Sequence, residues 1–338
     1  MIKDLISVVM SNYNTDELYL RASIESILNQ TYENFEFIIV DDCSANNSIE
    51  VIESYNDKRI KLIRNKKNMG LTKSLNVAIK AAKGEFIARM DADDIALSER
   101  FKKQVEFLKQ NPEYIACGTA IKILGGHKEG KIIRRPITDN ESFRIYLLFG
   151  NYPNIAHPTA MFNHSLLKKN NIEYDEKFPL AQDYKMWVTC SKYAPCYNLD
   201  EVLLLYRIHD KAVSVEKQQL QTDITTQIIA EQLHSLGLSC DDDILETHRN
   251  FIFERKEYNP KFKKWIKKLI TQNKKYKIYN GDKLKTILWK RWTEISYFAL
   301  AKTHNPLKMV KILLNTPVRY WNIFFETYKN RHIKDEKI

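Results

Sequence analysis

The chain has 338 residues, 44% of them hydrophobic and 28% charged, a balance that excludes a disordered chain, a collagen-like repeat and a disulfide-stapled mini-protein. Its formal charge of +11 is unevenly placed: from residue 261 to the end, 20 Lys or Arg stand against 5 Asp or Glu, a net +15, so residues 1–260 carry −4. A mildly acidic body is joined to a strongly basic tail.

The first ten residues run their apolar side chains into Ser11-Asn12 with no basic region and no small-residue cleavage site, and read as a first strand, Ile6 to Met10, rather than a signal peptide. Asp16 to Gln30 follows with Leu20, Ile24, Ile27 and Leu28 on one helical face. The rhythm repeats as Phe35 to Val40, Ser48 to Tyr55, Ile60 to Ile63, Leu71 to Ala82, Phe86 to Met90, Arg100 to Gln110 and Tyr114 to Cys117. This β-α alternation predicts an α/β fold with a mainly parallel central sheet covered by helices, whose ligands gather beyond the carboxyl ends of the strands. Between Gly125 and Pro158, glycines and prolines predict loops or a short hairpin rather than long helices. A helix is expected near Asp183 to Lys192 and a last strand at Val202 to Tyr206, ending in Arg207-Ile208-His209. These patterns divide the chain into a catalytic domain over 1–214 and a helical, basic region over 215–338.

Five cysteines, Cys43, Cys117, Cys190, Cys196 and Cys240, are odd in number and show no C-x-x-C spacing, which favours a reducing cytosol over a disulfide framework or zinc site. No stretch approaches the roughly 18 uncharged apolar residues of a membrane span. Contact with a membrane is therefore expected from its surface.

Three strands are each followed by polar residues: Ser11-Asn12-Tyr13-Asn14, Asp41-Asp42-Cys43-Ser44 and Asp91-Ala92-Asp93-Asp94. In a doubly wound sheet these turns share one rim. Two carboxylate clusters on one rim repel and raise each other's pKa unless a cation compensates, and hard Asp oxygens suit Mg²⁺ or Mn²⁺. Helix capping alone would account for either cluster singly, less easily for both. Neither G-x-G-x-x-G after the first strand nor G-x-x-x-x-G-K-[ST] anywhere is present, so a nucleotide's phosphates would be held by metal rather than by a glycine loop.

Seven segments occur in order: Ser7-Val-Val-Met-Ser-Asn-Tyr-Asn14, Ser26-Ile-Leu-Asn-Gln-Thr-Tyr32, Phe37-Ile-Ile-Val-Asp-Asp-Cys-Ser44, Asn68-Met-Gly70 with Leu75-Asn76, Gly84-Glu-Phe-Ile-Ala-Arg-Met-Asp-Ala-Asp-Asp94, Gln182-Asp183 and Tyr206-Arg-Ile-His209. Across roughly Leu5 to Ser214 they resemble the family 2 glycosyltransferases, which implies the glycosyltransferase-A fold, a nucleotide-binding α/β sandwich. The resemblance implies that Ser11 and Tyr13 approach the base and ribose, that Asn68 lies near the base, and that Asp42 accepts from the uracil N–H. A carboxylate there favours uridine over cytidine. It further implies that Asp91 lies by the ribose, that Asp93 binds the metal, Mn²⁺ or Mg²⁺, and that His209 completes the metal site, while Asp94 receives no chemistry and Lys73 is a weaker nucleotide candidate. Asp183, where most relatives carry Glu-Asp and this chain has Gln182-Asp183, matches the general base that takes a proton from an acceptor hydroxyl. As an Asp near a helix start it could also be a cap. Single displacement then inverts the anomeric centre. The His157-Pro158-Thr159 segment matches a stretch that could line the acceptor pocket. No Q-x-x-R-W motif follows Asp183, which favours addition of one sugar per encounter over polymerisation.

In the tail, Lys261 to Ile270 places Phe262, Trp265, Ile266, Leu269 and Ile270 on one helical stripe with lysines at every other position, and Trp289, Trp292 and Trp321 lie further on. Trp with Lys favours an anionic membrane interface; packing of these helices on the protein, with lysines solvated, is the other reading. Pro306, Leu307, Val310, Ile312 and Leu313 read as helix start and core. The expectation is a cytoplasmic enzyme, peripheral on the inner face of the cell membrane, that moves a hexose or N-acetylhexosamine from a UDP-sugar to a glycan acceptor, lipid-linked, in bacterial surface polysaccharide synthesis. A catalytically silent glycan-binding or partner subunit of the same fold is argued against by Asp93 and Asp183. Nucleic-acid binding is argued against by the acidic body and the absence of a recognisable module.

Overall fold

A computed structural model describes residues 1–150, 154–209, 218–253, 259, 261–301 and 316–322. The chain divides into two compact units, one of residues 1–143 and 151–225, the other of residues 144–150 and 226–338.

The first unit begins with β1 (Ile2–Asn12), α1 (Glu17–Leu28), β2 (Phe35–Asp41), α2 (Ser48–Glu53), β3 (Ile60–Arg64), α3 (Leu71–Ala81) and β4 (Gly84–Asp91). Asp16 caps α1 by accepting from Leu18 N, and the helix buries Leu20, Ile24 and Ile27. Strand β2 is buried at every position, as a parallel strand covered on both faces must be. The strands pair in the order β3-β2-β1-β4, all parallel. Gly84 permits the close approach of β4 to β1, since a Cβ there would lie 2.5 Å from Leu5 O.

Beyond β4 the sheet changes character. After β5 (Ile95–Ala96) and α4 (Arg100–Gln110) come β6 (Ala116–Leu124), β7 (Ile132–Ile133), α5 (Asn140–Leu147), a 3₁₀ turn over His157–Thr159, β8 (Met161–Asn163), α6 (His164–Lys169), α7 (Gln182–Cys190) and β9 (Cys196–Arg207). Strand β8 enters antiparallel between β4 and β6, β9 runs parallel to β6, and β5 closes the sheet antiparallel to β9. The sheet is therefore mixed in its second half. The last strand is longer than Val202 to Tyr206 because its first residues also pair with β6, from Ala116 opposite Cys196 onward. The glycine- and proline-rich region does hold a hairpin, β6 with β7, but also the helix α5. Asp139 starts that helix by accepting from Ser142 N at 2.9 Å, and Phe143, Ile145 and Leu147 are buried.

The second unit is helical where described. Helix α8 (Gln218–Ser235) is followed by α9 (Asp242–Phe253), α10 (Lys261–Tyr276) and α11 (Gly281–Ala301). The apolar stripe of α10 is buried at Phe262, Trp265, Ile266 and Leu269, and Trp289 and Trp292 are buried as well. Trp265 donates to His248 Nδ1 at 3.0 Å and Trp292 to Thr316 Oγ1 at 2.9 Å. These three indoles are core side chains, two of them with their N–H groups satisfied by protein, which corrects the expectation that they meet a bilayer. Trp321 is half-buried and donates to Thr316 O, and Pro306, Leu307, Val310, Ile312 and Leu313 lie outside the described residues. Among the described residues no helix is long and apolar enough to cross a membrane.

Candidate active site

The carboxyl ends of β1, β2 and β4 meet in register: Ser11 pairs with both Val40 and Asp91, and Asn12 pairs with Asp41. Ser11 is half-buried and Tyr13, just past the strand, is exposed. Between them Asn12 is fully buried, donating to Asp41 Oδ1 at 2.7 Å and Ser44 Oγ at 3.1 Å. Asp41 also accepts from Ser44 N and Oγ, so the first carboxylate of the pair closes its own turn. Asp42 turns the other way. Its Oδ1 accepts from Asn65 Nδ2 at 2.7 Å and Met69 N at 2.9 Å, and its Oδ2 from Gly70 N at 2.7 Å. Gly70 is the N-cap of α3 at φ +86°, a conformation that favours glycine and aims this amide at the carboxylate. Three of the roughly four acceptor positions of that carboxylate are used. Asn68 lies exposed in the same loop, and Lys73, in the first turn of α3, faces Glu176 at 3.9 Å.

At the end of β4, oxygens of Asp91, Asp93 and Asp94 lie within 4.8 Å of one another. Each has a different neighbour. Asp91 pairs with the buried Arg89 guanidinium, and Asp93 Oδ2 meets His209 Nε2 at 3.0 Å. Asp94 is 1% exposed, and its Oδ1 accepts from Arg207 N at 2.8 Å. Arg207 also donates from Nε to Asp93 O at 2.7 Å, while its guanidinium lies 4.1 Å from the Tyr19 ring centroid and Tyr19 packs against His209. The end of β9 is thereby stapled to the aspartate turn, which carries His209 to Asp93.

Burial pushes the Asp94 carboxyl well above the ordinary carboxylate range, with the charges of Asp91 and Asp93 adding to it. Burial raises Asp91 as well, opposed by Arg89 and reinforced by Asp93 and Asp183. Asp94 Oδ2 is buried with no hydrogen-bond partner. An orphaned carboxylate oxygen, two more carboxylates and an imidazole form a hard, mostly oxygen donor set, which fits Mn²⁺ or Mg²⁺.

Asp183 lies in the first turn of α7, whose N-cap is Ala181, so the aspartate does not cap the helix; its Oδ1 accepts from Tyr184 N at 2.7 Å. Burial raises its pKa, moderated by that amide and by the charges of Arg89 and Arg135. The charge of Asp183 is one of the smaller causes that raise Asp91. His157 is buried, its Nε2 2.6 Å from Tyr174 Oη, so its ring is engaged inside the protein.

Arg89, Asn12 and Arg135 receive no role from the sequence pattern. Arg89 was findable, since two residues before Asp91 on a strand is the same face. Asp94 was assigned no chemistry, yet it supplies the buried free oxygen. Arg135 follows β7 by two residues and donates to Asn154 Oδ1; no local pattern connects it with Asp183.

Residues 7–170 match the glycosyl transferase family 2. The chain is 39% identical over 235 residues to an uncharacterized glycosyltransferase, MJ1057, of Methanocaldococcus jannaschii, covering 67% of this chain and 79% of that one. It is 29% identical over 216 residues to WfaP of Escherichia coli, a UDP-Glc:α-D-GlcNAc-diphosphoundecaprenol β-1,3-glucosyltransferase, covering 63% of this chain and 81% of that one. Among solved structures, S. aureus TarS 1–349 in complex with UDP-GlcNAc has a TM-score of 0.57 at 19% identity, covering 96% of this chain and 91% of that chain, a likeness of fold.

Proposed function

The chain belongs to glycosyl transferase family 2, and from that premise we propose that it moves one hexose or N-acetylhexosamine from a UDP-sugar to a hydroxyl of a glycan acceptor, with inversion at the anomeric carbon. The observation that carries this reading is the acidic cluster of Asp91, Asp93 and Asp94 with His209 at the carboxyl end of β4. In this reading residues 1–214 carry the chemistry and 215–338 form the basic helical region.

Asp93, His209 and the free oxygen of Asp94 would hold the divalent cation. When bound, the cation supplies Lewis-acid stabilisation of charge on the departing diphosphate. Asp91 accepts from the ribose, Ser11 and Tyr13 face the nucleoside, and Asn68 lies beside the base. Asp42 offers its remaining acceptor position to the uracil N–H, and the three donors already on it fix its direction. Asp183 takes the acceptor's proton on a carboxylate oxygen as that hydroxyl attacks the face opposite UDP. The Tyr184 amide and the nearby Arg89 and Arg135 charges oppose the effect of burial on this base.

The likeness to WfaP supports a lipid-linked acceptor in surface polysaccharide synthesis. With its aromatic stripe buried, α10 keeps an outer face of Lys264, Lys267, Lys268, Lys274 and Lys275, all exposed, and carries no acidic residue. That face supports attachment to the anionic inner surface of the cell membrane through charge alone, about 1 kcal/mol per lysine. Because no indole of α10 is left to stack on bases, it supports nucleic acid poorly. Changing these five lysines to Gln should abolish co-sedimentation with phosphatidylglycerol vesicles while leaving turnover of a soluble acceptor unchanged; full retention on vesicles would reject the surface.

UDP release from a panel of UDP-hexoses, with and without Mn²⁺, tests the core reading. Absence of turnover with every donor, or unaltered turnover in Asp93→Asn, would reject it.

A further inference from the structure

Arg89 is 2% exposed, one of the largest fully buried side chains of the protein, and its ion pair with Asp91 is the only one it makes among the described residues. Its Nε has no hydrogen-bond acceptor. Its backbone is gripped on both sides: Arg89 N donates to Ala160 O at 2.9 Å, and Arg89 O accepts from Arg100 Nη2 at 2.8 Å. Arg100 is itself buried on α4 and held by Gln104 at 3.0 Å. A cation placed so deliberately is not there for solubility. A guanidinium is the side chain that tolerates this site, because it stays charged and is weakly hydrated.

The oxygens of Asp91, Asp93 and Asp94 are close enough for all three carboxylates to share one cation. What separates Asp91 from the others is its partner. Asp93 is turned to the His209 imidazole and Asp94 keeps an oxygen free, whereas Asp91 is already matched by a fixed positive charge. With the cation bound and all three carboxylates ionised, three carboxylates less one guanidinium leave a formal charge of −2, which a divalent cation neutralises.

We propose that Arg89 is a positioning residue that holds Asp91 out of the cation's coordination sphere and turned to the donor's ribose, leaving Asp93, Asp94 and His209 as the protein ligands. The ribose half of this inference rests on the UDP-sugar reading above; the metal half does not. Without Arg89 the cluster carries −3 and Asp91 is free to swing onto the cation. The variant should then bind metal more tightly and read the ribose less well, a pair of opposite changes that general loosening of the fold does not produce.

The test uses the full chain without donor or acceptor, titrating Mn²⁺ and following free Mn²⁺ by electron paramagnetic resonance. It then measures UDP, 2′-deoxy-UDP and 3′-deoxy-UDP affinity at saturating Mn²⁺. Arg89→Gln should raise Mn²⁺ affinity about tenfold or more, the effect of one uncompensated charge at short range, and should lose most of the preference for the intact ribose. Arg89→Lys should restore part of that preference. The double variant Arg89→Gln/Asp91→Asn removes the ion pair without changing the net charge and leaves the proposed ligands in place, so it should keep Mn²⁺ affinity within about threefold while losing ribose discrimination, whereas Asp93→Asn should lose Mn²⁺ binding by about tenfold or more. Weaker Mn²⁺ binding in the double variant by the same factor as in Asp93→Asn would make Asp91 a ligand and overturn the proposal, as would unchanged Mn²⁺ affinity in folded Arg89→Gln or a wild-type chain that takes up no Mn²⁺. Failure of the wild-type chain to bind any UDP would instead overturn the donor reading, with the Mn²⁺ titrations still deciding the role of Arg89.

Discussion

Replacing Asp94 by Asn should make the metal-free protein more stable and the enzyme less active. Asp94 is 1% exposed; one oxygen accepts from Arg207 N at 2.8 Å and the other has no partner. Asparagine keeps the first bond through its carbonyl oxygen and turns the orphan position into an N–H donor facing the carboxylates of Asp91 and Asp93. Removing a buried unsatisfied acceptor and its charge should contribute about 1–2 kcal/mol, or roughly 2–8 °C in melting temperature for a unit of this size. The pH dependence follows from the raised pKa. Below the ordinary carboxylate range Asp94 is protonated in both folded and unfolded chains and costs nothing. As pH rises the unfolded chain ionises freely while the folded one resists, so wild-type stability falls until the pH passes the raised folded value. Differential scanning fluorimetry in EDTA from pH 4.5 to 8 should show that slope in the wild type and a shallower one in Asp94→Asn. Adding Mn²⁺ at about 100 times its Kd should raise wild-type stability by about 2.7 kcal/mol, and Asp94→Asn by less than half as much. A variant that melts below wild type in EDTA, or that keeps the full Mn²⁺ shift, would refute the reasoning.

Asp183→Asn should lower kcat by about 10²–10⁴ with UDP affinity held within about twofold, read by UDP release and calorimetry; equal loss of both would make Asp183 structural. Because burial raises the pKa of Asp183, activity should fall on the acid side from a pH above the usual carboxylate range, and an activity flat down to pH 4 would contradict its role as base. Trp187 is fully buried and stacked on Phe162 at 5.5 Å between ring centroids, so Trp187→Ala should cost about 3–5 kcal/mol in urea unfolding. A loss below about 1 kcal/mol would show that the site collapses around the cavity.

How much of the site could be read without coordinates depended on how local its causes were. Ser11, Asp42, Asp91 and Asp93 sit where short parallel strands end, and both the apolar runs and the polar turns behind them are features of a few adjacent residues. The carboxylate rim was legible for that reason, and with it the expectation of a cation. The use of each carboxylate was not. Asp41 and Asp42 are neighbours of one type, yet one closes its own turn and the other gathers donors from residues 65–70. Asp94 looked idle because the atom that engages it, the Arg207 amide, lies more than a hundred residues away.

The chain's own pattern determined the alternation of strands and helices, the acidic rim and the concentration of positive charge, +15 against −4 before it, in residues 261–338. Periodicity and charge spacing are set by side chains a few positions apart. Only the tertiary structure decided that β8 enters antiparallel, that His209 reaches Asp93, that Arg89 is buried against Asp91, and that Trp265, Trp289 and Trp292 face a protein core. An amphipathic stripe specifies that something apolar will cover it. Which surface does so depends on contacts between distant segments, and those exist only once the chain has folded.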